Sequence, residues 1–185
     1  MPDCHWYAAR VRSRFELIGS AALEAKGFET LVPIMAIRRQ WSDRIKTLQT
    51  PVFPGYVFCR FSRLSRAAVL ECPGVVGVVA FAGQPAEIPD QEIEAVRTAV
   101  RSRLSLEPHA FLPAGLKVRI DFGPLAGVEG VVIDGRNDSR LVLSVTLLQR
   151  SVSVEVDRSW VRSSAPAPPA AWRGAGPYPA QRKIE

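Results

Sequence analysis

Thr50-Pro51-Val52-Phe53-Pro54-Gly55-Tyr56-Val57-Phe58-Cys59-Arg60-Phe61 is the most informative stretch of the chain. It is an apolar strand interrupted by Pro54-Gly55. Gly55 permits a bulge or a close backbone approach, and Phe53, Tyr56 and Phe58 supply large apolar area. Strand alternation puts Tyr56 and Phe58 on one face, while the break leaves the direction of Phe53 open. The same residues could be ordinary core or a partner-binding patch, because both are built from the same residue types.

Upstream, His5 to Val11 reads as a strand. Phe15 to Lys26 reads as a helix with Leu17, Ile18, Ala21, Ala22 and Ala25 on one face and Gly27 as its stop. Phe28 to Pro33 looks like another strand. Ala36 to Thr50 is a polar, basic excursion or hairpin carrying Arg38, Arg39, Arg44 and Lys46 around Trp41. Downstream, Ser62 can cap a short helix that ends before Pro73-Gly74, and Val75 to Phe81 is a strand. Asp90 can cap a helix in which Ile93, Val96 and Val100 recur at helical spacing. This order predicts an α+β sandwich with helices on a mostly antiparallel sheet.

Leu104 to Pro113 lacks periodicity and contains Pro108 and Pro113, so it reads as a linker. Beyond it come short strands alone: Lys117 to Phe122, Gly130 to Asp134, Leu141 to Leu148, Val152 to Val156 and Trp160-Val161. Turn residues separate them at Gly123-Pro124, Gly135 to Ser139 and Gln149-Arg150. Ser151 to Val156 alternates valine with polar residues, which predicts one buried and one solvated face. Five short strands in about 50 residues predict a small closed barrel. The expected division is a first domain over 1–105, a linker over 106–113, a β-barrel over 114–163 and a disordered Ala/Pro-rich tail over 164–185.

Composition narrows the function. The chain has 185 residues, 47% of them hydrophobic, and a net charge of +6. Residues 1–105 hold 14 Lys/Arg against 10 Asp/Glu, residues 106–163 hold 7 of each, and the tail holds 3 against 1. A basic first domain suits a polyanionic partner. No apolar run approaches the roughly 18 residues of a membrane span, and the N-terminus lacks a signal-like segment, so a cytoplasmic, non-membrane protein is expected. Cys4, Cys59 and Cys72 form no CxxC and read as reduced, buried thiols. The histidines, His5 and His109, stand in no ligand spacing. No HExxH, GxSxG or phosphate loop is present, so no catalysis, metal or cofactor is expected.

Two segments together resemble the NusG family. FPGYVF at Phe53 to Phe58, with His5-Trp6-Tyr7 and Pro73-Gly74-Val75-Val76, resembles its N-terminal domain. PAGLKVRIDFGPLAGVEGVVID at Pro113 to Asp134 resembles its KOW motif, in which Gly123, Gly127 and Gly130 are expected at positive φ or tight strand crossings. The resemblance spans residues 5 to 163. It implies a NusG-type α/β sandwich followed by an SH3-like KOW barrel. The family leaves open whether that barrel converts to a helical hairpin, but the β-branched residues of 141–156, the alternation of Val152 to Val156 and the breakers Gly123, Pro124, Gly127 and Gly130 predict that it stays β. It also implies a monomeric, non-enzymatic elongation or antitermination factor. RNA polymerase would bind Phe53, Tyr56 and Phe58, flanked by Trp6 and Tyr7, through the clamp of its largest subunit. Arg12 occupies the position that resembles the family's DNA-facing basic residue. Charge alone adds Arg14, Arg38 and Arg39 as contacts to non-template DNA. Leu125, Val128 and Leu148 stand where the housekeeping barrel presents phenylalanines to Rho and to the ribosome. Ser65, Arg66 and Ala67 replace a His-Thr-Thr stretch that touches the polymerase gate loop in a specialised paralog. Arg38 to Lys46 (RRQWSDRIK) and the GPLAGVEG turn resemble the specialised UpxY branch, antiterminators of polysaccharide operons. The competing readings are a housekeeping factor coupling polymerase to Rho or the ribosome, and a KOW-type ribosomal RNA-binding protein. The neutral charge of the barrel weighs against the latter.

Overall fold

Alternating side chains in two central strands organise the first domain. The structure, a computed structural model, describes residues 3–40, 45–110, 116–134 and 139–163. Its first part runs β1 (His5–Val11), α1 (Glu16–Ala25), β2 (Glu29–Leu31), β3 (Ile34–Gln40), β4 (Ile45–Pro51), β5 (Tyr56–Phe61), α2 (Arg66–Leu70), β6 (Val75–Val78), β7 (Ala80–Phe81), β8 (Gln84–Pro85) and α3 (Asp90–Arg101). Antiparallel pairing gives a four-stranded sheet in the order β2-β5-β1-β6, while β3 and β4 pair separately as a hairpin. From β1 and β5, Tyr7, Val11, Val57, Cys59 and Phe61 join Leu23 of α1 and Val69 of α2 in one apolar cluster. Trp6, Ala8 and Phe58 join Ile93, Val96 and Ala99 of α3 in another. The period of two along each strand thus separates two helix-covered faces.

Helix α1 departs from its expected face. It buries Glu16, Gly19, Ser20 and Leu23, and leaves Leu17 64% and Ile18 54% exposed. Small residues make this contact: a Cβ on Gly19 would lie 3.1 Å from Val11 Cγ1, so glycine lets the helix sit close against the sheet. The two expected caps also differ. Ser62 precedes a 3-10 turn and makes no capping bond, and Asp90 is the first helical residue behind Pro89. Cys59 and Cys72 are buried free thiols, with burial pushing Cys59 up to about 12, whereas Cys4 is exposed, contrary to expectation.

The second part contains β9 (Leu106–Ala110), β10 (Leu116–Ile120), β11 (Glu129–Asp134), β12 (Ser139–Val145), β13 (Arg150–Val156) and β14 (Val161–Ser163). They form one antiparallel sheet ordered β14-β10-β11-β12-β13-β9. The supposed linker is therefore structural as far as Ala110, because β9 pairs with β13 from Leu106↔Val154 to Ala110↔Arg150. Residues 111–113 and the tail lie outside the described residues. A second expectation is corrected too. Ser151 and Ser153 are buried rather than solvated, with Ser151 Oγ 2.7 Å from Ser144 Oγ and Ser153 Oγ donating to Glu107 O at 3.5 Å. Residues 141–156 are strand in β12 and β13, joined by a 3-10 turn at Thr146–Leu148. Their β-branched content favours this over helix.

In the KOW-like segment Gly123 and Gly127 have φ of +81° and +86°. Gly130 is required by proximity, since a Cβ there would meet Val142 O at 2.7 Å. Gly130→Ala is expected to push β11 from β12, cost about 1–3 kcal/mol, and lower the urea midpoint of the C-terminal domain.

Candidate functional site

The Phe53–Tyr56 turn gathers the aromatic residues. Tyr56 N–H donates to Phe53 O at 3.2 Å, Pro54 holds the second position, and Gly55 the third with φ +84°. This is the pattern of a type II turn. It brings the Phe53 ring onto Phe58 edge-on, with centroids 5.5 Å apart. Both rings are fully buried, while Tyr56 is half-buried at the start of β5. The turn is held from two sides. Val11 N–H donates to Gly55 O at 2.9 Å, and Gly55 N–H donates to Glu16 Oε1 at 2.8 Å.

Trp6 and Tyr7 do not flank this patch as exposed surface. Adjacent strand residues point to opposite faces, and both are buried. Trp6 lies under the Arg97 guanidinium, 5.4 Å from its ring centroid. Tyr7 packs on Phe61 at 4.4 Å on the α1–α2 side. Its hydroxyl donates to Glu87 at 3.4 Å, and Arg63 also donates to Glu87 at 2.8 Å. Burial, before any other cause, raises the Tyr7 phenol above its usual value.

The C-terminal sheet covers the outer rim of the aromatic face. The Arg150 guanidinium stands 5.7 Å from the Tyr56 ring centroid. Leu147 and Leu148 pack against the same apolar cluster as Phe53 and Phe58. On α3, Glu92 accepts two hydrogen bonds from Thr146, from its backbone N–H at 3.0 Å and its hydroxyl at 2.7 Å. Between α3 and the sheet lies a cleft of about 1050 Å³, lined in part by Glu92, Thr98, Val128, Gly130 and Ser144. Leu125, Val128 and Leu148 do not form one exposed surface. Ile120 N–H donates to Val128 O and Gly127 N–H donates to Ile120 O, which folds the turn back over β10. Leu125 is thereby fully buried and Val128 is 7% exposed, leaving Leu148 half-buried at the covered rim.

Arg12 and Arg14 are exposed on the turn after β1. Arg12 N–H donates to Gly74 O, next in sequence to the Val11–Gly55 contact, so the basic turn and the aromatic turn are neighbours. Arg38 and Arg39 lie on β3, with Arg39 directly opposite Lys46 on β4. Their side chains, and Trp41 and Arg44 altogether, lie outside the described residues. Among the described residues no group of three His, Cys, Asp or Glu could hold a metal ion, and no helix is long and apolar enough to cross a membrane. Sequence reading missed Glu16, Glu92 and Arg150, since each is a charged residue whose partner is distant in the chain.

Fold and site thus define an α+β protein with mostly antiparallel sheets, in which an aromatic turn lies beside a basic one. The model of the family "Transcription termination factor nusG" matches residues 4–97, half of the chain. The NusG transcription termination/antitermination protein of Pseudomonas aeruginosa is 30% identical over 156 residues, covering 82% of this chain and 88% of that protein. The NusG of Escherichia coli K12 is 27% identical over 179 residues, covering 88% and 98%. A solved Thermotoga maritima NusG structure superposes with a TM-score of 0.51 at 22% identity, covering 88% and 98%, a likeness of fold. The chain belongs to the NusG family of transcription termination/antitermination factors.

Proposed function

We propose that this protein is an elongation and antitermination factor that binds RNA polymerase through its N-terminal domain and suppresses pausing or termination. The observation that carries the reading is the Phe53–Tyr56–Phe58 face. Two buried rings brace a half-buried tyrosine at a rigid turn, an arrangement suited to anchoring an apolar helical surface. Its partner is the clamp of the largest polymerase subunit. Because the C-terminal sheet lies over Tyr56, docking there requires Arg150 and Thr146 to move away from Tyr56 and Glu92. The freed domain then offers Leu148 to Rho or the ribosome. As a ligand without chemistry of its own, the factor acts by binding one polymerase conformation more tightly than another. Such work belongs in the cytoplasm and needs no cofactor.

The specialised UpxY-type role, antitermination at a polysaccharide operon, is favoured by the basic β3–β4 hairpin. Arg39 and Lys46 are register partners on β3 and β4, which places two basic residues at one level of the hairpin. Arg12 and Arg14, beside the aromatic turn, extend the basic surface toward non-template DNA in the transcription bubble. Neutralising Arg12 and Arg14 together is expected to reduce crosslinking to the non-template strand and flatten its salt dependence, while polymerase still co-purifies. An unchanged crosslink with unchanged salt dependence would remove DNA from the reading.

A further inference from the structure

We infer that Glu16 is a positioning residue that sets the orientation of the Pro54–Gly55 peptide and thereby the aromatic face, an inference that rests on the polymerase-binding reading above. Glu16 is the first residue of α1, yet it is only 6% exposed. Carboxylates are rarely buried without a dedicated partner. Its partner here is Gly55 N–H, which donates to Oε1 at 2.8 Å across 39 residues of sequence.

The chemistry of the turn explains why that bond matters. In a type II turn the central peptide is flipped relative to type I, and the two types differ mainly in that orientation. The flip aims the N–H of the third residue, Gly55, away from the turn's own carbonyl. No bond within the turn satisfies that donor, and a half-buried N–H left without an acceptor forfeits a charge-assisted hydrogen bond. Glu16 supplies the acceptor in the flipped orientation only. On the other side, Gly55 O accepts from Val11 N–H at 2.9 Å, so both polar groups of Gly55 are fixed. Phe53 and Tyr56 are the first and last residues of the turn. A change of turn type would re-aim Phe53 relative to Phe58, 5.5 Å away, and Tyr56 with it. Gly55 itself supplies the positive φ, and a Cβ there would meet nothing within 4 Å. The turn is therefore chosen by backbone conformation and by Glu16, not by crowding.

The test uses the full-length protein and purified RNA polymerase, with Glu16→Ala, Glu16→Gln and Tyr56→Ala beside wild type. Affinity is read together with the Gly55 amide resonance and its hydrogen-exchange rate in the free protein. Glu16→Ala is expected to weaken binding about tenfold, shift the Gly55 resonance and speed its exchange. Glu16→Gln retains a carbonyl acceptor and is expected to stay within about threefold of wild type, with Gly55 still protected. Wild-type affinity in folded Glu16→Ala alongside weakened Tyr56→Ala would overturn the role of Glu16 and leave the face intact. Equal losses in Glu16→Gln and Glu16→Ala would also overturn it, because acceptor geometry would then not be what matters. Wild-type affinity in both Glu16→Ala and Tyr56→Ala would instead remove the polymerase-binding face itself.

Discussion

Tyr56→Ala is expected to weaken binding to RNA polymerase about tenfold while leaving the fold intact. Two effects compete. Truncating a well-packed aromatic anchor costs about 2 kcal/mol of affinity. The same change removes the ring under Arg150, a cation–π contact worth about 0.5–1 kcal/mol at a partly exposed site. That loss loosens the covering domain and returns part of the affinity. The anchor is the larger effect, so the net change is a loss. Titration of polymerase with both proteins, alongside their far-UV circular dichroism spectra, checks it. Tighter binding by the variant would mean that release of the C-terminal domain dominates.

Phe58→Ala, two residues along the same face, is expected to have a different and larger effect. Phe58 is fully buried between the sheet and the Phe53 ring, and its removal leaves a cavity that rigid strands cannot close. The expected cost is about 3–5 kcal/mol of stability. That is a large share of the 5–15 kcal/mol that holds a typical domain together. Urea unfolding should show a large drop in midpoint. A midpoint close to wild type would mean that Phe58 is a surface contact residue.

The contrast between these neighbours marks what a sequence can convey. Alternation correctly puts Tyr56 and Phe58 on one face, because the period of two is a property of the strand itself. Which of them is covered depends on α3 and on the C-terminal sheet, whose positions are fixed by contacts far along the chain. Helix α1 shows the same boundary. Its apolar residues suggest a face through Leu17 and Ile18, but close approach to β1 favours Gly19 and Ser20, and shape outweighs hydrophobicity. Strand β9 was hidden by Pro108, which is unfavourable inside a sheet yet tolerated on an end strand such as this one. The glycines of the KOW-like turn were legible, because positive φ and tight crossings leave few alternatives to glycine. Leu125 and Val128 were not, since alignment with a binding residue carries no information about how far a turn folds back on its own sheet. Glu16 left no local signal at all: an acidic residue in the first turn of a helix is usually explained by the helix dipole.

The central claim is that the Tyr56 face meets the clamp of RNA polymerase. Replacing Tyr56 with a photo-reactive phenylalanine derivative and irradiating the complex with transcribing polymerase tests it most directly. Adducts mapped by mass spectrometry should fall on apolar helical residues of the largest subunit's clamp. Adducts confined to other polymerase surfaces, or to this protein's own C-terminal domain with polymerase bound, would contradict it.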